Sequence, residues 1–345
     1  MANIKTLEYK ISVIIPCYNQ GKFLDDAVNS VLKQTYQNFE IIVINDGSTD
    51  KYTNDLLKNY NKPKTKVYIT KNQGLASTRN YGFELSDGEF IQFLDADDTL
   101  APNKFEKQIN IFRENNSLDV SYTNYTFFYE DTGKYSESQM QGLLSESPFE
   151  DFVYRWQRGI SIPIHCGLFK RKVFNNEDPF ISGFKAVEDW IMWIAISSRK
   201  CKFSYLDEDL AVYRIQQDNM TKDKTFMFYW VSRAVSYIAQ NFITSEEMKK
   251  FNMEQEKYLE KLINAFFLND IKGENTKLRE EVEKEVKVIA EKEEMLNQNE
   301  EMLKRKKEEI EKLEVELTMI KNSKSYRLGK LIAWLPRRVM GLIKR

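Results

Sequence analysis

The sequence predicts an α/β domain with a mostly parallel central sheet, followed by helical segments. Three observations lead to this prediction. Short apolar runs rich in Ile and Val recur about every 25 residues in the first hundred positions. A helical pattern separates the first two runs, and beyond residue 270 the composition shifts abruptly to Glu and Lys. Alternating strands and helices are typical of α/β domains, and a charged, sparsely apolar segment is typical of a long helix.

The four apolar runs are "ISVIIPCYN", "FEIIVIND", "KVYIT" and "GEFIQFLDA", and each is long enough for a buried strand. The segment "GKFLDDAVNSVLKQ" lies between the first two. Its apolar residues fall on one helical face. They are Phe23, Leu24, Ala27, Val28, Val31 and Leu32. The first hundred residues therefore predict a βαβαβαβ unit.

Residues 116–220 are less regular but contain an aromatic strand, "VSYTNYTFFY", and an apolar helix, "EDWIMWIAISS". We expect them to complete the sheet and to supply a second wall of a cleft, so that residues 1–220 form one domain. Residues 221–270 have a helical, partly apolar pattern and predict a helical extension.

Residues 271–320 predict a long helix. Val282, Ile289, Leu296, Leu303, Ile310 and Leu317 are spaced by seven, as in one core seam of a coiled coil. The second seam is apolar only at its ends. Homo-oligomers formed through this helix are favoured, and a single solvated helix with charge pairs remains an alternative.

Residues 321–345 form a basic amphipathic tail. They hold eight Lys or Arg and no acid, whereas the rest of the chain has 43 basic and 52 acidic residues. Apolar side chains interleave with these cations, a mixture that favours an anionic membrane surface as partner. The alternative is a helix that packs back on the domain. A protein that binds nucleic acid would carry its positive charge on the folded face, so no nucleic-acid partner is expected.

Composition excludes several other classes. Cys17, Cys166 and Cys201 are far apart, which indicates neither a disulfide framework nor a zinc site. The first ten residues have no apolar signal region, and no run of 18 apolar residues occurs. The sequence thus predicts a cytoplasmic protein that does not span the membrane.

Polar residues stand where the predicted strands end. Because ligands of parallel sheets bind beyond the carboxyl ends of the strands, Asn19, Asp46 and Asp95 are expected on one rim of a binding cleft. In "IQFLDADDTL", the carboxylates could cap a turn or hold a metal ion. Spacing alone does not decide, because Asp207 and Asp209 repeat it after another apolar stretch.

The ordered motifs "VIIPCYNQGKFLDDAVNSVLKQT", "FEIIVINDGSTD", "NQGLASTRNYGFELSDGEFIQFLDADD" and "EDW" resemble family 2 of the glycosyltransferases. The resemblance covers residues 10–215. It implies the GT-A fold, a Rossmann-like arrangement, with inverting transfer from a nucleotide-sugar donor, and it suggests the type that builds bacterial polysaccharides and surface glycans.

The resemblance also implies roles on the donor side. Pro16, Tyr18 and Asn19 would border the base and ribose. Asp46 would accept a hydrogen bond from the imide N–H of uracil, which favours UDP or dTDP donors. Asn45 stands where the family has an Asp. Arg79 would contact the nucleotide or its phosphates, or alternatively pair with a carboxylate of the rim.

The same resemblance assigns the metal to two carboxylates. Asp97 would bind Mn²⁺ or Mg²⁺ directly, and Asp95 would contact the ribose or the ion. Asp98 is expected to be a cap or supporting residue.

On the acceptor side, the resemblance makes Asp189 the catalytic base and Glu188 its helper. Trp190 and His165 would line the acceptor or diphosphate side, with a structural imidazole as the alternative for His165. Gln216 replaces the His of the family's Tyr-Arg-x-His segment and could still donate a hydrogen bond.

Together these features predict a metal-dependent inverting glycosyltransferase that moves a sugar to a hydroxyl of a lipid-linked surface glycan at the inner face of the cytoplasmic membrane. The alternative is a non-catalytic transferase-like scaffold that oligomerises through its coiled helix. A nicotinamide-dependent oxidoreductase is excluded because no Gly-x-Gly-x-x-Gly turn follows the first strand. The sequence does not define the donor sugar, the acceptor or the linkage.

Overall fold

The computed structural model describes residues 8–137, 144–156, 158–216 and 219–264, together with residues 304, 306 and 307. The chain divides into two units, Met1–Leu268 and Asn269–Arg345, and every element described below belongs to the first. The predicted coiled helix and the basic tail lie outside the described residues, apart from those three isolated positions.

Strands and helices alternate along the first unit. The strands are β1 (Ile11–Cys17), β2 (Phe39–Asp46), β3 (Thr65–Thr70), β4 (Phe90–Phe93), β5 (Thr99–Leu100), β6 (Val120–Tyr129), β7 (Lys134–Glu137), β8 (Gly167–Lys170) and β9 (Phe203–Ile215). The helices are α1 (Gly21–Leu32), α2 (Lys51–Lys58), α3 (Leu75–Leu85), α4 (Lys104–Glu114), α5 (Pro148–Tyr154), α6 (Glu188–Ser198), α7 (Lys224–Phe242) and α8 (Met248–Ile263). Three short 3₁₀ segments add Ile164–Cys166, Arg171–Phe174 and Met220–Lys222.

The described strands form one sheet in the order β3-β2-β1-β4-β8-β6-β9-β5, with β7 paired to β6. The predicted βαβαβαβ unit is confirmed, because β1, β2, β3 and β4 pair in parallel. The expectation of a mostly parallel sheet is confirmed only in part, because the second half is mixed: β6 and β9 pair in parallel, whereas the other pairs are antiparallel. There β8 is antiparallel to β4 and β6, and β5 is antiparallel to β9. A tight β6–β7 hairpin is also antiparallel, as a short connection requires.

The core lies on both faces of the first sheet half. Every residue of β1 and β2 is buried, which explains their continuous apolar sequences. The helix α1 covers one face with the residues expected from its pattern, of which all but Leu32 are fully buried. The predicted face of this helix is thus confirmed.

Strand register brings three strand ends together. In β1, Ile14 pairs with Phe93 of β4, and Cys17 pairs with Asn45 of β2. The chain therefore leaves all three strands at the same edge of the sheet. Gly47, directly after β2, has φ +62°, and a Cβ there would lie 2.4 Å from the backbone N of Asn72. Only glycine allows the loops after β2 and β3 to approach so closely.

Helices α7 and α8 lie within the predicted extension 221–270, but α7 contacts α6 and α8 contacts α5. They belong to the same compact unit as the sheet. Among the described helices, none is long and apolar enough to cross a membrane.

Candidate active site

A cleft of about 850 Å³ opens at the carboxyl ends of β1, β2 and β4. Seven of the predicted site residues line it, as the rim prediction requires. They are Pro16, Tyr18, Asn19, Asp46, Asp95, Asp97 and Gln216. The other five predicted residues, Arg79, His165, Glu188, Asp189 and Trp190, do not line it.

At one end of the cleft, Asn19 joins two loops. Its backbone has φ 56°, in the left-handed region that Asn tolerates. Its Oδ1 accepts hydrogen bonds from the backbone N–H groups of Thr49 (2.7 Å) and Asp50 (3.0 Å). Its own backbone N–H donates to Ser48 Oγ (3.0 Å). Asn19 thus fixes the loop after β2, and beside it the ring of Tyr18 is 44% exposed.

Asp46 fixes the next loop. Its Oδ1 accepts from the Gln73 N–H (2.8 Å) and its Oδ2 from the Gly74 N–H (3.0 Å). The carboxylate shapes the turn that starts α3. Each oxygen retains a further acceptor site, because a carboxylate offers about four, and Asp46 lines the cleft.

The turn after β4 carries the three carboxylates of the motif. Asp98 is 3% exposed, its Oδ1 accepts from the Arg214 N–H (2.8 Å), and its Oδ2 lies 2.9 Å from His165 Nδ1. One oxygen is therefore held by the backbone of β9, and the other lies close to the imidazole without forming a hydrogen bond with it. Asp98 also lines the cleft. Arg214 also donates from Nε to the Asp97 carbonyl (2.7 Å).

Asp97 faces the cleft, and its Oδ2 accepts a hydrogen bond from Gln216 Nε2 (2.7 Å). Burial, and then the charges of Asp98 and Asp95, raise the pKa of Asp97 well above its usual range. Among the described residues, no group of three or more His, Cys, Asp or Glu side chains is arranged to hold a metal. A cation at this turn would thus need further oxygen ligands from a bound molecule or water.

Arg79 was predicted to contact the nucleotide or, alternatively, a rim carboxylate, and the structure shows the second arrangement. Its side chain is 2% exposed, with Nη2 on Asp95 Oδ1 (2.6 Å) and Nη1 on Glu188 Oε1 (2.5 Å). Its guanidinium carbon lies 5.2 Å from the ring centroid of Phe180. Burial opposes the charged form, but Asp95 and Glu188 outweigh it and raise the pKa of Arg79. Glu188 is correspondingly buried and faces Arg79 rather than the cleft.

Asp189 lies in the first turn of α6, where the helix dipole favours negative charge. The preceding loop, Gly183 to Lys185, lines the cleft wall. Burial, and then the charge of Glu188, raise the pKa of Asp189 to about 7, although Arg79 opposes this. A carboxyl that titrates near neutrality can gain and lose a proton under ordinary conditions.

The residue before α6 has an unusual backbone. Val187 has φ 55°, a region that a β-branched residue rarely adopts. Such a conformation costs on the order of 1–3 kcal/mol and persists only where the surrounding structure holds it. This backbone conformation precedes the first turn of α6, which carries both Glu188 and Asp189.

Two predicted acceptor-side residues are in the core. Trp190 is 1% exposed and donates from Nε1 to the Phe152 carbonyl (2.7 Å), because its ring belongs to the apolar face of α6. His165 is fully buried behind Asp98, with its ring 6.1 Å from that of Tyr213. Neither side chain lines the cleft. His165 is buried, as its structural alternative requires, but neither of its ring nitrogens has a hydrogen-bond partner among the described residues, so the acceptor-side roles of both residues stay predictions.

Three further residues of the cleft were not predicted from the sequence. Met220, Thr221 and Phe226 line the cleft, although the predicted domain boundary at 220 assigned most of them to a separate extension. Arg214 was not singled out either, yet it pairs with Asp26 (2.9 Å) and with Glu130. These partners are far away in the sequence, and the only local signal for this arginine is its place in the segment that resembles the family's Tyr-Arg-x-His pattern.

Part of the chain is similar in sequence to known glycosyltransferases. Residues 12–177 match the model of "Glycosyl transferase family 2". An uncharacterized glycosyltransferase of Rickettsia bellii is 39% identical over 213 residues, which are 61% of this chain and 30% of that protein. The minor teichoic acid biosynthesis protein GgaB of Bacillus subtilis is 31% identical over 250 residues, 70% of this chain and 27% of that protein. The matched part of the chain thus spans about a third or less of these relatives.

Two solved structures share the fold. Residues 1–349 of Staphylococcus aureus TarS superpose with a TM-score of 0.54 at 19% identity, covering 75% of this chain and 72% of that one. A mannosyltransferase of Pyrobaculum calidifontis gives a TM-score of 0.53 at 11% identity, covering 82% and 81%. The strand-end rim, the GT-A-like α/β fold and the family match lead to one conclusion: residues 12–177 of this chain belong to family 2 of the glycosyltransferases, a family of enzymes.

Proposed function

We propose that the chain is a metal-dependent inverting glycosyltransferase that moves a sugar from a UDP-sugar to a hydroxyl group of a glycan. One observation carries the proposal: the ends of β1, β2 and β4 bring Tyr18, Asp46 and Asp97 into a single cleft. An aromatic face, a hydrogen-bond acceptor and a cation-binding carboxylate suit the base and the diphosphate of a nucleoside diphosphate sugar.

At the nucleotide end, the exposed ring of Tyr18 would lie against the base. Asp46 would accept the imide N–H of uracil through a lone pair that its loop contacts leave open. TarS was solved with UDP-GlcNAc and the Pyrobaculum mannosyltransferase with GDP-Man and Mn²⁺, so proteins of this fold take different bases. Preference for uracil in this chain rests on Asp46.

Asp97 and Asp95 would hold Mn²⁺ or Mg²⁺. The donor set suits a hard cation, because both side chains offer oxygen and the substrate diphosphate would complete the shell. The raised pKa of Asp97 supports this assignment, since crowded carboxylates favour either a proton or a cation. When bound, such an ion neutralises the charge that develops on the departing nucleoside diphosphate.

Asp189 would act as the base. Its carboxylate would take the proton of the acceptor hydroxyl as that oxygen attacks the anomeric carbon from the face opposite the diphosphate. Glu188 and Arg79 would position and tune this carboxylate from behind, without contact with substrate. Through its ion pairs with Glu188 and Asp95, Arg79 thus joins helix α6, which carries Asp189, to the turn after β4.

The acceptor would be a lipid-linked surface glycan at the inner face of the cytoplasmic membrane. The basic tail, residues 321–345, supports this location by its composition, and GgaB is named for a role in teichoic acid synthesis. Homo-oligomers through residues 271–320 would place several tails on one surface and strengthen binding.

A panel of nucleotide sugars tests the activity. The full chain is heated with each donor, with Mn²⁺ or with EDTA, because a ligand stabilises the folded state in proportion to its binding. We expect a UDP-sugar to raise the melting temperature only with Mn²⁺, and the Asp97→Ala variant to lose this increase. The stabilising donor is then incubated with enzyme, and released UDP is measured by chromatography. A chain that neither binds nor hydrolyses any donor is the scaffold, not the enzyme.

A further inference from the structure

The side chain of Gln216 is tied to the cation-binding turn. Its Nε2 donates to Asp97 Oδ2 (2.7 Å) and its backbone N–H donates to Asn219 Oδ1 (2.9 Å). Asn219 in turn donates from Nδ2 to the Arg214 carbonyl (3.1 Å). The end of β9 is therefore braced by its own hydrogen bonds and presents the Gln216 amide to Asp97.

Asp97 is held at two points. Arg214 fixes its carbonyl and Gln216 fixes one oxygen of its carboxylate. The amide is neutral, so it engages Oδ2 without cancelling the negative charge that attracts a cation. It also satisfies a partly buried oxygen, which would otherwise lose the hydrogen bonds that water supplies.

An engaged Oδ2 limits how Asp97 can bind an ion. Ca²⁺ takes six to eight oxygen ligands at about 2.3–2.6 Å and often binds a carboxylate through both oxygens. Mg²⁺ requires an almost octahedral shell at about 2.0–2.1 Å and uses one oxygen from each carboxylate. A carboxylate with one oxygen held by an amide suits the second kind of shell.

We propose that Gln216 is a positioning residue that keeps Asp97 a one-oxygen ligand and thereby makes the site select Mn²⁺ and Mg²⁺ over Ca²⁺. The inference rests on the proposed function, because it takes Asp97 as the residue that holds the cation. It goes further by naming the residue that determines which cation is accepted.

Metal competition on the full chain tests this inference without an activity assay. Mn²⁺ is titrated into the protein, and the free ion is measured by its electron paramagnetic resonance signal. Ca²⁺ or Mg²⁺ is then added to displace it. We expect Ca²⁺ to compete poorly in the wild type and about tenfold better, relative to Mn²⁺, in the Gln216→Met variant, since loss of a residue that orients a ligand typically changes metal affinity at least tenfold.

Two further variants complete the design. Gln240→Met makes the same change at an exposed position of α7 and should leave the Ca²⁺ to Mn²⁺ ratio unchanged. Asn219→Ala removes the hydrogen bonds that hold the end of β9 but no direct contact of Asp97. It should shift the Ca²⁺ to Mn²⁺ ratio in the same direction as Gln216→Met. Circular dichroism and melting temperature establish that each variant is folded, and if Gln216→Met is not, Asn219→Ala decides.

The outcomes separate the two proposals. A wild type that binds Mn²⁺, together with folded variants whose Ca²⁺ to Mn²⁺ ratio equals that of the wild type, overturns the role of Gln216 and leaves the metal site standing. A wild type that binds no Mn²⁺ overturns the metal site, and the role of Gln216 with it.

Discussion

At the scale of single residues, the most informative group is Asp189. Its carboxyl is buried beside Glu188, and both burial and that neighbour raise its pKa to about 7. A base with this pKa is about half ionised at pH 7, and it accepts a proton more readily than an ordinary aspartate. The same environment that suits catalysis makes the ionised form costly to the folded state.

The first prediction concerns the pH dependence of transfer. Because a base must be deprotonated, kcat/KM should rise with pH through about 7. Glu188→Gln removes a negative neighbour, which lowers the pKa of Asp189 and moves this rise to lower pH by about one unit. The measurement is a pH profile of kcat/KM with the preferred donor. Glu114→Gln, an exposed change on α4, should keep the wild-type profile, and an unshifted Glu188→Gln profile would contradict the assignment.

The second prediction concerns stability. A carboxyl whose pKa is higher in the folded state than in the unfolded state destabilises the fold increasingly as pH rises from about 4 to about 7. Asp189→Asn avoids the cost of ionising this carboxyl. The free energy of unfolding of this variant at pH 8 should therefore exceed that of the wild type by up to about 4 kcal/mol. Urea unfolding at pH 8 and near pH 4 provides the check. The difference should shrink toward zero at the acid end, and an equal difference at both pH values would exclude ionisation as its cause.

At the scale of elements, Arg79 joins α3, the end of β4 and the start of α6. Sequence patterns predicted each of these elements, because apolar periodicity depends on neighbours along the chain. They gave a pairing of Arg79 with a rim carboxylate such as Asp95 only as an alternative, and they did not predict its pairing with Glu188, since these two residues are 109 positions apart. The left-handed Val187 was also unpredictable, because nothing in a β-branched residue indicates φ 55°. Local pattern thus defined the rim of the cleft, and long-range packing defined the buried residues behind it.

The third prediction follows from this junction. Arg79→Met leaves the carboxylates of Asp95 and Glu188 without their cation, and removing one partner of a buried pair costs about 3–5 kcal/mol. Urea unfolding should show a loss of this size. The double variant Arg79→Met with Glu188→Gln should recover part of the loss, because one of the two unpaired charges is then absent. Additive losses in the double variant would mean that the two side chains act independently.

At the scale of the whole molecule, charge is distributed unevenly along the chain. The first 320 residues carry 43 basic and 52 acidic residues, and the last 25 carry eight basic residues and no acid. The net charge of −1 therefore hides an acidic catalytic part and a cationic end. An acidic body is repelled by an anionic membrane, whereas the tail is attracted, so that any membrane contact should be made through the tail.

The last prediction is a membrane-binding test of this arrangement. Each Lys or Arg near an anionic surface contributes about 1 kcal/mol, an attraction that salt screens. The full chain should float with liposomes that contain anionic lipid at low salt, and less at high salt. A variant that ends at residue 320 should remain at the bottom of the gradient, as should the full chain with neutral liposomes. Flotation of the shortened chain equal to that of the full chain would locate the lipid contact elsewhere, whereas residual binding to neutral liposomes would indicate that the interleaved apolar side chains suffice.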